Sequence, residues 1–519
     1  MDTKALRQKI LDLAIRGKLV PQDPNDEPAE VLLKRIREQK QQMLKEGKLK
    51  KKDIKNDTII FKGEDNLHYE KFQDGTVKCI EDEIPFEVPE GWCWCRLPVI
   101  TTDIFAGGDK PDVYETCLTE SCKIPIYSNG MENEGLYGYT NKPRVTEPSI
   151  TISARGTIGF CCVRETPFVP IVRLITITPS KEINLYYLKT VFESLIETGE
   201  GSSIPQLTVP GIKPKLIPIP PVNEQIRLQN KLNQILNYIV NISFEKDELQ
   251  NLLQIVKSKI LNLAIRGKLV PQNPNDEPAS VLLNRIHDEK EELIKQGNIK
   301  RDKKESVIFK GDDNSYYEKV DNEVSCIDEE ILYDIPDTWT WMRLENCCAK
   351  EIRRGKSPKY IEKSNVLVFA QKCNTKNNGI DISLAQYLDE DTLKRYPADE
   401  YMQNGDVVIN STGTGTLGRV GLYMAYDDNK KLSIVPDSHV TVIRGGSCIH
   451  PFFLYAFMKA HQSNLEKMGE GSTNQKELKP LTLRAMLIAL PSLSEQKRIS
   501  IAISTAFEQL SVIESQLSV

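Results

Sequence analysis

The sequence predicts an α/β protein in which two α/β domains are separated by a long antiparallel coiled-coil helical spacer, with an internal pseudo-two-fold repeat. Three observations predict this fold. Several segments occur twice, roughly 250 positions apart, a heptad pattern of apolar residues lies between the copies, and each copy contains short runs rich in Val, Ile and Thr. Sustained heptads are typical of coiled coils, and such runs bounded by Gly, Pro or Asn are typical of strands.

The repeat is nearly identical over one stretch. "LAIRGKLVPQDPNDEPA" at residues 13–29 recurs at residues 263–279 with a single difference, Asp23 against Asn273. "FKGEDNLHYEK" (61–71) recurs as "FKGDDNSYYEK" (309–319), and "VPEGWCWCRL" (88–97) recurs as "IPDTWTWMRL" (335–344). The offset is 247 at this Trp motif. It has grown to 271 at a later Glu-Gln motif, "PVNEQIR" (221–227) in the first copy and "SLSEQKR" (492–498) in the second. The chain is therefore two tandem copies of one unit, and their insertions and divergence lie in the middle of that unit.

The Glu-Gln motif of the first copy opens a predicted helix with a heptad of apolar residues. The heptad positions are Leu228, Ile235, Ile242, Leu249, Val256 and Leu263, and the partner positions are Leu232, Ile239, Leu253 and Ile260, with Lys246 as the exception. This predicts a rod of roughly 54 Å. The C-terminal and N-terminal segments align with the two halves of this helix. We therefore expect them to form one interrupted rod that packs antiparallel against the continuous one.

These patterns divide the chain into five predicted parts. Residues 1–84 are an N-terminal spacer helix and arm, 85–221 the first α/β domain, 222–334 the central spacer helix and arm, 335–491 the second α/β domain, and 492–519 a C-terminal spacer helix. The α/β domains contain predicted strands such as "PSITIS", "VPIVRLITI", "GDVVINS" and "HVTVI", followed by helices such as "LYYLKTVFESLI" and "PFFLYAFMKAH".

Composition excludes several protein classes. The chain has 519 residues, 39% hydrophobic and 27% charged, without an apolar run long enough for a transmembrane helix or an N-terminal secretory signal. We therefore expect a cytoplasmic protein. The twelve cysteines show no paired CxxC pattern, so we expect reduced thiols and no metal site. The net charge of −5 argues weakly against a uniformly basic nucleic-acid binder, although a local basic surface is what binds phosphate.

Catalytic motifs are missing from the sequence. It contains neither a GxxxxGK[ST] loop nor an Asn/Asp-Pro-Pro-Tyr/Phe motif of amino methyltransferases. "GTGTLG" (413–418) fits GxGxxG, but a strand follows it where a dinucleotide site needs a helix, so we predict a strand–turn–strand there. A nuclease site made of carboxylates and a lysine remains an alternative, although the sequence does not show where such residues would meet. We expect no catalytic residues and no bound cofactor.

Polar residues in Gly-rich turns of the α/β domains are candidates for reading DNA. Arg and Lys pair with guanine, Asn and Gln with adenine, and Ser or Thr with either. The first domain offers Lys110, Ser128, Asn129, Arg155, Thr157, Ser202, Ser203 and Gln206. The second domain offers Arg353, Arg354, Lys356, Lys359, Ser411, Thr414, Arg419, Thr473, Asn474, Gln475 and Lys476. Taken singly, residues of these types in such turns are more often ordinary loop residues than DNA contacts.

The ordered motifs resemble the specificity subunit of type I restriction–modification systems. The resemblance rests on "AIRGKLVPQDPNDEPA", on the "PPVNEQ" helix start and on the paired variable segments, and it covers essentially the whole chain. It implies that each variable segment is a target-recognition domain for one half of a bipartite, asymmetric DNA site. "RGTIG" (155–159) and "GKSP" (355–358) resemble turn motifs of these domains. "GGDKP" (107–111) departs from the pattern, so Lys110 is the weaker transfer.

The resemblance also implies partners. The helices would separate the two recognition domains and dock two methyltransferase subunits, and a restriction and motor subunit would join this core. S-adenosylmethionine, ATP and Mg would bind the partners, because the specificity subunit itself is not catalytic. We expect the repeated stretch to contact the methyltransferases through Arg16, Lys18, Arg266 and Lys268. Two readers on one side of a duplex should be centred about 34–36 Å apart.

Two alternatives stay open on the sequence. One is a self-contained DNA methyltransferase or nuclease, which the missing motifs oppose. The other is a coiled-coil scaffold that binds protein and not DNA. Neither the target sequence nor the residues that touch bases can be read from the chain, because groove orientation and DNA deformability decide them.

Overall fold

The computed structural model describes residues 2–196, 199–200, 206–296, 306–321, 323–376, 379–413, 415–424, 432–471 and 476–518. The chain forms two compact units, Met1–Asp247 and Glu248–Val519. This boundary falls where the sequence alignment of the two copies places their junction. Each sequence copy therefore folds as one unit.

Helices frame both units. The first unit contains α1 (Thr3–Ile15), α2 (Ala29–Lys45), α3 (Lys51–Ile54), α4 (Leu185–Leu195), α5 (Val209–Ile212) and the start of α6 (Val222–Ile265). The second unit contains the rest of α6, α7 (Ala279–Lys295), α8 (Glu390–Leu393), α9 (Pro451–Ala460), α10 (Gln462–Lys467), α11 (Pro480–Arg484) and α12 (Leu493–Ser518). No helix in these described ranges has the length and hydropathy to span a membrane.

Strands fill the middle of each unit. In the first unit they are β1 (Ile59–Lys62), β2 (His68–Lys71), β3 (Val77–Cys79), β4 (Cys93–Arg96), β5 (Thr101–Ala106), β6 (Ile124–Tyr127), β7 (Leu136–Thr140), β8 (Ser149–Ile152), β9 (Thr157–Ile158), β10 (Cys161–Arg164), β11 (Val169–Pro170), β12 (Ile175–Pro179), β13 (Gly199–Glu200) and β14 (Leu216–Ile219). In the second unit they are β15 (Ser306–Lys310), β16 (Tyr316–Val320), β17 (Glu323–Cys326), β18 (Thr340–Arg343), β19 (Arg353–Arg354), β20 (Tyr360–Ile361), β21 (Val366–Phe369), β22 (Gln386–Leu388), β23 (Val407–Asn410), β24 (Val420–Leu422), β25 (Ser433–Pro436), β26 (Val440–Ile443) and β27 (Leu487–Leu490).

The two units share most of their sheet topology although their middle sequences diverge, and the second unit adds β20 at the edge of one sheet. The antiparallel sheet β10-β8-β12-β5 of the first unit corresponds to β24-β23-β26-β19 of the second. The parallel pair β11–β6 corresponds to β25–β21. One strand of a two-stranded sheet, β4 or β18, comes before each middle region. Its partner strand, β14 or β27, comes after that region. We call residues 97–215 the first module and residues 344–486 the second module.

Apolar strands and one helix build the core of each module. β8 and β23 are buried along their whole length, as the Val- and Ile-rich runs predict. The predicted helices are present as α4 and α9, whose aromatic side chains Tyr187, Phe192, Phe453 and Phe457 are fully buried. "GTGTLG" lies between the antiparallel strands β23 and β24, so the strand–turn–strand prediction is confirmed. All twelve cysteines are free, as expected.

The repeated stretch ends α1 in a left-handed cap. Gly17 has φ +65°, and the N–H of Lys18 donates to the carbonyl of Leu13 (2.9 Å), which is the pattern of a glycine C-cap. A Cβ on Gly17 would lie 2.4 Å from Cγ of Pro89. Gly267 repeats this arrangement against Pro336 at φ +66°. Both copies therefore end this helix in the same glycine cap.

The same stretch then holds the start of the next long helix. Gln22 donates through Nε2 to the carbonyl of Gly17 (2.8 Å) and to Oε1 of Glu224 (3.0 Å). The indole of Trp92 donates to Oε2 of Glu224 (2.9 Å), and Arg227 forms an ion pair with Asp26 (2.6 Å). We call this arrangement the joint.

The second copy repeats the joint with Gln272 bonded to Glu495 (2.5 Å) and Arg498 paired with Asp276 (2.7 Å). The glutamine that follows each glutamate, Gln225 or Gln496, is fully buried. Its amide accepts from the backbone N–H that precedes α4 or α9 (2.9 and 2.7 Å). Each joint therefore ties the long helices to one module.

The helix α6 has 44 residues, about 66 Å of rod. Leu232, Ile239 and Leu253 on its partner positions are buried, whereas Ile242 and Leu249 on the heptad positions are exposed. In the second unit, Glu514 of α12 accepts from Lys257 (2.7 Å) and Gln254 (3.2 Å). The beginning of α12 shares a core with the end of α6, so these two segments run antiparallel.

Candidate nucleic-acid interface

An open cleft of about 530 Å³ lies on the first module where β5 ends. The polar side chains that line it are Asp109, Lys110, Tyr137, Arg155 and Arg173. Three cations against one carboxylate make the cleft electropositive, which favours a phosphate backbone or the acceptor edge of a base. The structure thus brings together two residues that the sequence predicted, Lys110 and Arg155, and adds Arg173.

Lys110 lies exposed against the ring of Tyr114. Its Nζ is 4.4 Å from the ring centroid and 3.1 Å from the hydroxyl oxygen. The hydrogen bond to this hydroxyl raises the pKa of Lys110 above its usual value. Lys110 is therefore a charged group that an aromatic ring orients at the edge of the cleft.

The loop between β11 and β12 forms one wall of the cleft in a strained conformation. Val172 has φ +51° and Arg173 has φ +59°, so two consecutive residues with a Cβ adopt the left-handed region. This conformation costs about 1–2 kcal/mol for each residue, and β-branched Val is an outlier there. The run "VPIVRLITI" predicts a single strand, whereas the structure divides it into β11 and β12 with these two residues between them.

Main-chain hydrogen bonds hold this loop against β5. The N–H groups of Val172 and Arg173 donate to the carbonyls of Gly108 (2.8 Å) and Gly107 (3.0 Å). A Cβ on Gly107 would lie 2.8 Å from the main chain of Pro170, so only glycine permits this approach. The loop is fixed from two sides, because its other side is tied to Asn129.

Asn129 connects two loops of the cleft by hydrogen bonds. Its Nδ2 donates to the carbonyl of Val172 (2.7 Å), and its Oδ1 accepts from the N–H of Ala154 (2.7 Å). Both ends of the amide are engaged, so the structure gives Asn129 a positioning part between two loops. Ser128 is half-buried next to it, and its N–H donates to the carbonyl of Gly135 (2.8 Å).

The glycine turn between β8 and β10 carries Arg155 and Thr157. Gly156 and Gly159 have φ +71° and +85°, which lets the turn close with the N–H of Gly159 on the carbonyl of Ser153 (3.0 Å). Nε of Arg155 and Oγ1 of Thr157 are buried without a hydrogen-bond partner among the described residues. A buried polar atom without a partner is costly, so this turn is a strained part of the module.

Predicted residues of the second module are mostly engaged within the module. Arg353 pairs with Glu400 and Asp399, both at 2.7 Å, and Arg354 pairs with Glu477. Lys359 pairs with Asp389 (2.9 Å), and Lys356 is half-buried. Arg419 donates to the carbonyls of Asn374 and Gly415. These arginines stabilise loops, and a base would have to displace such contacts.

Ser411 is fully buried, and its hydroxyl is 2.6 Å from that of Thr441. In this conformation Ser411 lies inside the module and not on a surface that DNA could reach. Gln206 and Lys476 are exposed. Ser202, Ser203, Thr414, Thr473, Asn474 and Gln475 lie outside the described residues.

Strand register shows which positions of the two modules correspond. Pro170 pairs with β6 where Pro436 pairs with β21, and three residues later come Arg173 and His439. His439 is exposed, and its N–H donates to Oδ1 of Asp437 (2.8 Å), a carboxyl whose pKa burial raises. Sequence alignment missed this correspondence, although a shared Val-Pro dipeptide precedes both positions.

A second pair of positions corresponds in the glycine turns. The carbonyls of Ala154 and Ser411 each accept from the main-chain N–H of a leucine (3.3 and 2.8 Å), so the residues that follow them, Arg155 and Thr412, match. Oγ1 of Thr412 lies 2.7 Å from Nδ1 of His439. The second module thus has a hydrogen-bonded Thr–His pair where the first has two arginines.

The predicted partner-binding residues lie at the joints. Arg16 stacks over Phe86 at 4.4 Å and pairs with Asp12 (2.8 Å), and Arg266 stacks over Tyr333 at 4.9 Å. Lys18 and Lys268 (the residues after the cap glycines) are exposed. The arginines therefore already contribute inside the chain, and the lysines present charge to solvent.

The sequences of both modules are similar to those of known proteins. A family model described as "Type I restriction modification DNA specificity domain" matches residues 101–254 and 336–518. The chain is 30% identical over 406 residues to the specificity subunit of the type I restriction enzyme EcoAI of Escherichia coli. That match takes in 66% of this chain and 62% of the relative, so the chain spans less than two thirds of the EcoAI subunit.

Two further similarities cover more of the chain. It is 26% identical over 595 aligned residues to the EcoEI specificity subunit of Escherichia coli, which takes in 99% of this chain and 90% of that subunit. A solved chain described under "Structural basis underlying complex assembly and conformational transition of the type I R-M system" has a TM-score of 0.52 at 15% identity, covers 84% of this chain and 94% of its own, and so shares the fold. Because the family model matches more than half of the sequence, the chain belongs to the family of type I restriction modification DNA specificity domains.

Proposed function

We propose that this chain reads a bipartite, asymmetric DNA target for a type I restriction–modification complex, with one half-site assigned to each module. The observation that carries the proposal is the pair of matched modules. Each rests on its own copy of the joint, and both contain the same four-stranded antiparallel sheet. Their corresponding turn positions nevertheless carry Arg155 and Arg173 in one and Thr412 and His439 in the other. Identical frames with different surface chemistry suit two readers of different sequences.

We further propose that the chemistry belongs to partners. Two methyltransferase subunits and the restriction subunits would supply catalysis and bind S-adenosylmethionine, ATP and Mg, while this chain supplies recognition. The duplicated joints support two copies of one partner, because each presents an exposed lysine, Lys18 or Lys268, at the same place. The helix α6 adds exposed apolar side chains, among them Tyr238 (68%), Phe244 (66%) and Ile255 (63%), which are typical of a surface that a partner covers.

An antiparallel coiled-coil spacer is part of the same proposal. In the second unit α12 runs antiparallel to the end of α6, and in the first unit α1 shares a core with Leu228 and Leu232 of α6. A spacer of this kind would fix the distance between the half-sites. The length of α6, about 66 Å, exceeds the one-turn separation of about 34–36 Å between half-sites.

A hybrid with two identical modules tests the proposal. Residues 97–215 are replaced by a second copy of residues 344–486, so that β4 and β14 still frame the inserted module. We expect the hybrid, expressed with its methyltransferase partners, to methylate a symmetric site made of two copies of one wild-type half-site. Sequencing of methylated sites gives the result, and the reciprocal hybrid is the control. A hybrid that keeps the wild-type asymmetric target would contradict modular reading.

Salt dependence separates a DNA reader from a protein scaffold. We expect the affinity of the complex for random duplex DNA to fall steeply as salt rises, because cations that bind phosphate release counterions. A flat dependence of log affinity on log salt would exclude DNA contact. Methylation or cleavage of DNA by the purified chain alone would refute the assignment of catalysis to partners.

A further inference from the structure

We infer that Arg173 is a base-reading residue of the first module and that His439 reads the other half-site from the matching position of the second. The inference rests on the proposed function and names the residues that carry it out. Arg173 and Arg155 lie on two different loops of the cleft at the end of β5.

The backbone at Arg173 is held in place at an energetic cost. Val172 and Arg173 are both left-handed, and hydrogen bonds from two loops fix them, including the 2.7 Å bond from Nδ2 of Asn129. Strain of this kind persists when the surrounding structure enforces it, and it clusters at functional sites. The strained residues have no buried side chain to justify them, because Val172 is 48% exposed and Arg173 is exposed.

The side chain of Arg173 is available for a ligand. Within the described part of the chain, its guanidinium has no hydrogen bond or carboxylate partner, whereas Arg353 and Arg354 of the second module are paired. A guanidinium on a fixed backbone can donate two parallel hydrogen bonds. The O6 and N7 atoms of guanine are placed to accept both of them. The geometry therefore points to a guanine in the half-site of the first module.

The matching position of the second module has different chemistry on a similar frame. Gly355 approaches the main chain of Pro436 as Gly107 approaches Pro170, so the loop has the same close packing. His439 lies there, exposed, with Nδ1 bonded to Thr412. This bond orients the imidazole and leaves Nε2 as the remaining polar atom of the ring. One position thus distinguishes the two half-sites.

Three variants of the full chain, each co-expressed with the methyltransferase partners, test the inference. They are Arg173→Ala, Arg173→Lys and His439→Ala, and the control is Lys181→Ala, which removes an 88% exposed cation elsewhere on the first module. Each complex selects duplexes from a random library, and sequencing gives the base preference at every position. Thermal melting checks that each variant folds.

We expect Arg173→Ala to lower discrimination for guanine at one position by about 5- to 150-fold and to leave the other half-site unchanged. Arg173→Lys keeps the charge but loses the planar pair of donors, so it should weaken that discrimination, which covers the case in which the alanine variant does not fold. His439→Ala should change the other half-site, and Lys181→Ala should change neither.

Two results would overturn the inference while the proposed function stands. In one, wild type selects a bipartite target and Arg173→Ala and Arg173→Lys select the same target. In the other, Arg173→Ala weakens all sequences alike and lowers the salt slope by about 1, which identifies a phosphate contact. A wild-type complex without any sequence preference would instead refute the proposed function.

Discussion

At the residue scale, the joints explain why one stretch of sequence is nearly identical in the two copies. Gln22, Asp26 and Gly17 each contact a partner in the Trp or Glu-Gln motifs, and Gln272, Asp276 and Gly267 repeat these contacts. Loss of Gln22 would remove one hydrogen bond from the buried Glu224, and a Cβ on Gly17 would clash with Pro89. Intramolecular packing therefore accounts for the identity of these positions in the two copies.

The joint predicts opposite pH dependence for two of its carboxyls. The hydrogen bond from Arg227 lowers the pKa of Asp26 below its usual 3.8, so its stabilising contribution is present above that value and is lost as pH falls through the lowered pKa. Burial raises the pKa of Glu224 above 4.5, so its contribution is present below that value and is lost as pH rises through the raised pKa.

Denaturation of the variants Asp26→Asn and Glu224→Gln between about pH 3 and pH 7 measures both effects. This range includes the ordinary pKa values of aspartate and glutamate, about 3.9 and 4.3. The advantage of wild type over Asp26→Asn should shrink on acidification below about pH 4. The advantage of wild type over Glu224→Gln should shrink as pH rises. Parallel stability curves for all three proteins would mean that neither carboxyl has a shifted pKa.

At the element scale, α6 shows what a heptad pattern predicts and what it leaves open. The sequence predicted one uninterrupted helix from the Glu-Gln motif to the repeated stretch, and α6 runs from Val222 to Ile265. The pattern treats both sets of heptad positions alike. The structure buries Leu253 (4% exposed) and leaves Leu249 exposed (37%).

Adjacent leucines of α6 provide a matched test. Leu253 is 4% exposed and Leu252 is 52% exposed. We expect Leu253→Ala to lower the free energy of unfolding by about 2–5 kcal/mol, because it removes buried methyl groups and leaves a cavity. Leu252→Ala should change it by no more than about 0.5 kcal/mol. Equal losses, measured by chemical denaturation, would show that the rod is not packed on one side in solution.

At the scale of the whole molecule, two copies of one sequence fold as two compact units with the same joint. Gly17 and Gly267 have the same φ and nearly the same distance to a proline, 2.4 and 2.5 Å from a Cβ to Cγ. Equivalent substitutions should therefore cost each unit the same free energy. Gly47 has φ +73° with open space around it and serves as the control.

Calorimetry of Gly17→Ala, Gly267→Ala, the double variant and Gly47→Ala tests this equivalence. Gly47→Ala should cost about 1–2 kcal/mol for the left-handed backbone alone. Each joint variant should cost more, because its Cβ also meets a proline, and the double variant should show the sum of the single effects. A joint variant no worse than Gly47→Ala would argue against the close contact with proline.

The two-copy organisation, the long helix and the strands in "PSITIS" and "GDVVINS" could be predicted from the sequence. These features depend on repeated motifs and on local periodicity, so they can be recognised without the fold. The sequence also predicted the family, because ordered motifs recur along the whole chain.

Which polar residues of the modules can reach a ligand depends on long-range packing. Arg155 and Lys110 meet in a cleft, whereas Arg353 is paired and Ser411 is buried, and all four are polar turn or strand-end residues in the sequence. The position of Arg173 depends on a left-handed Val172, which hydrogen bonds from distant loops impose against its local preference. Long-range contacts of this kind leave no periodic signal, so a sequence shows the residues of the readers but not their arrangement.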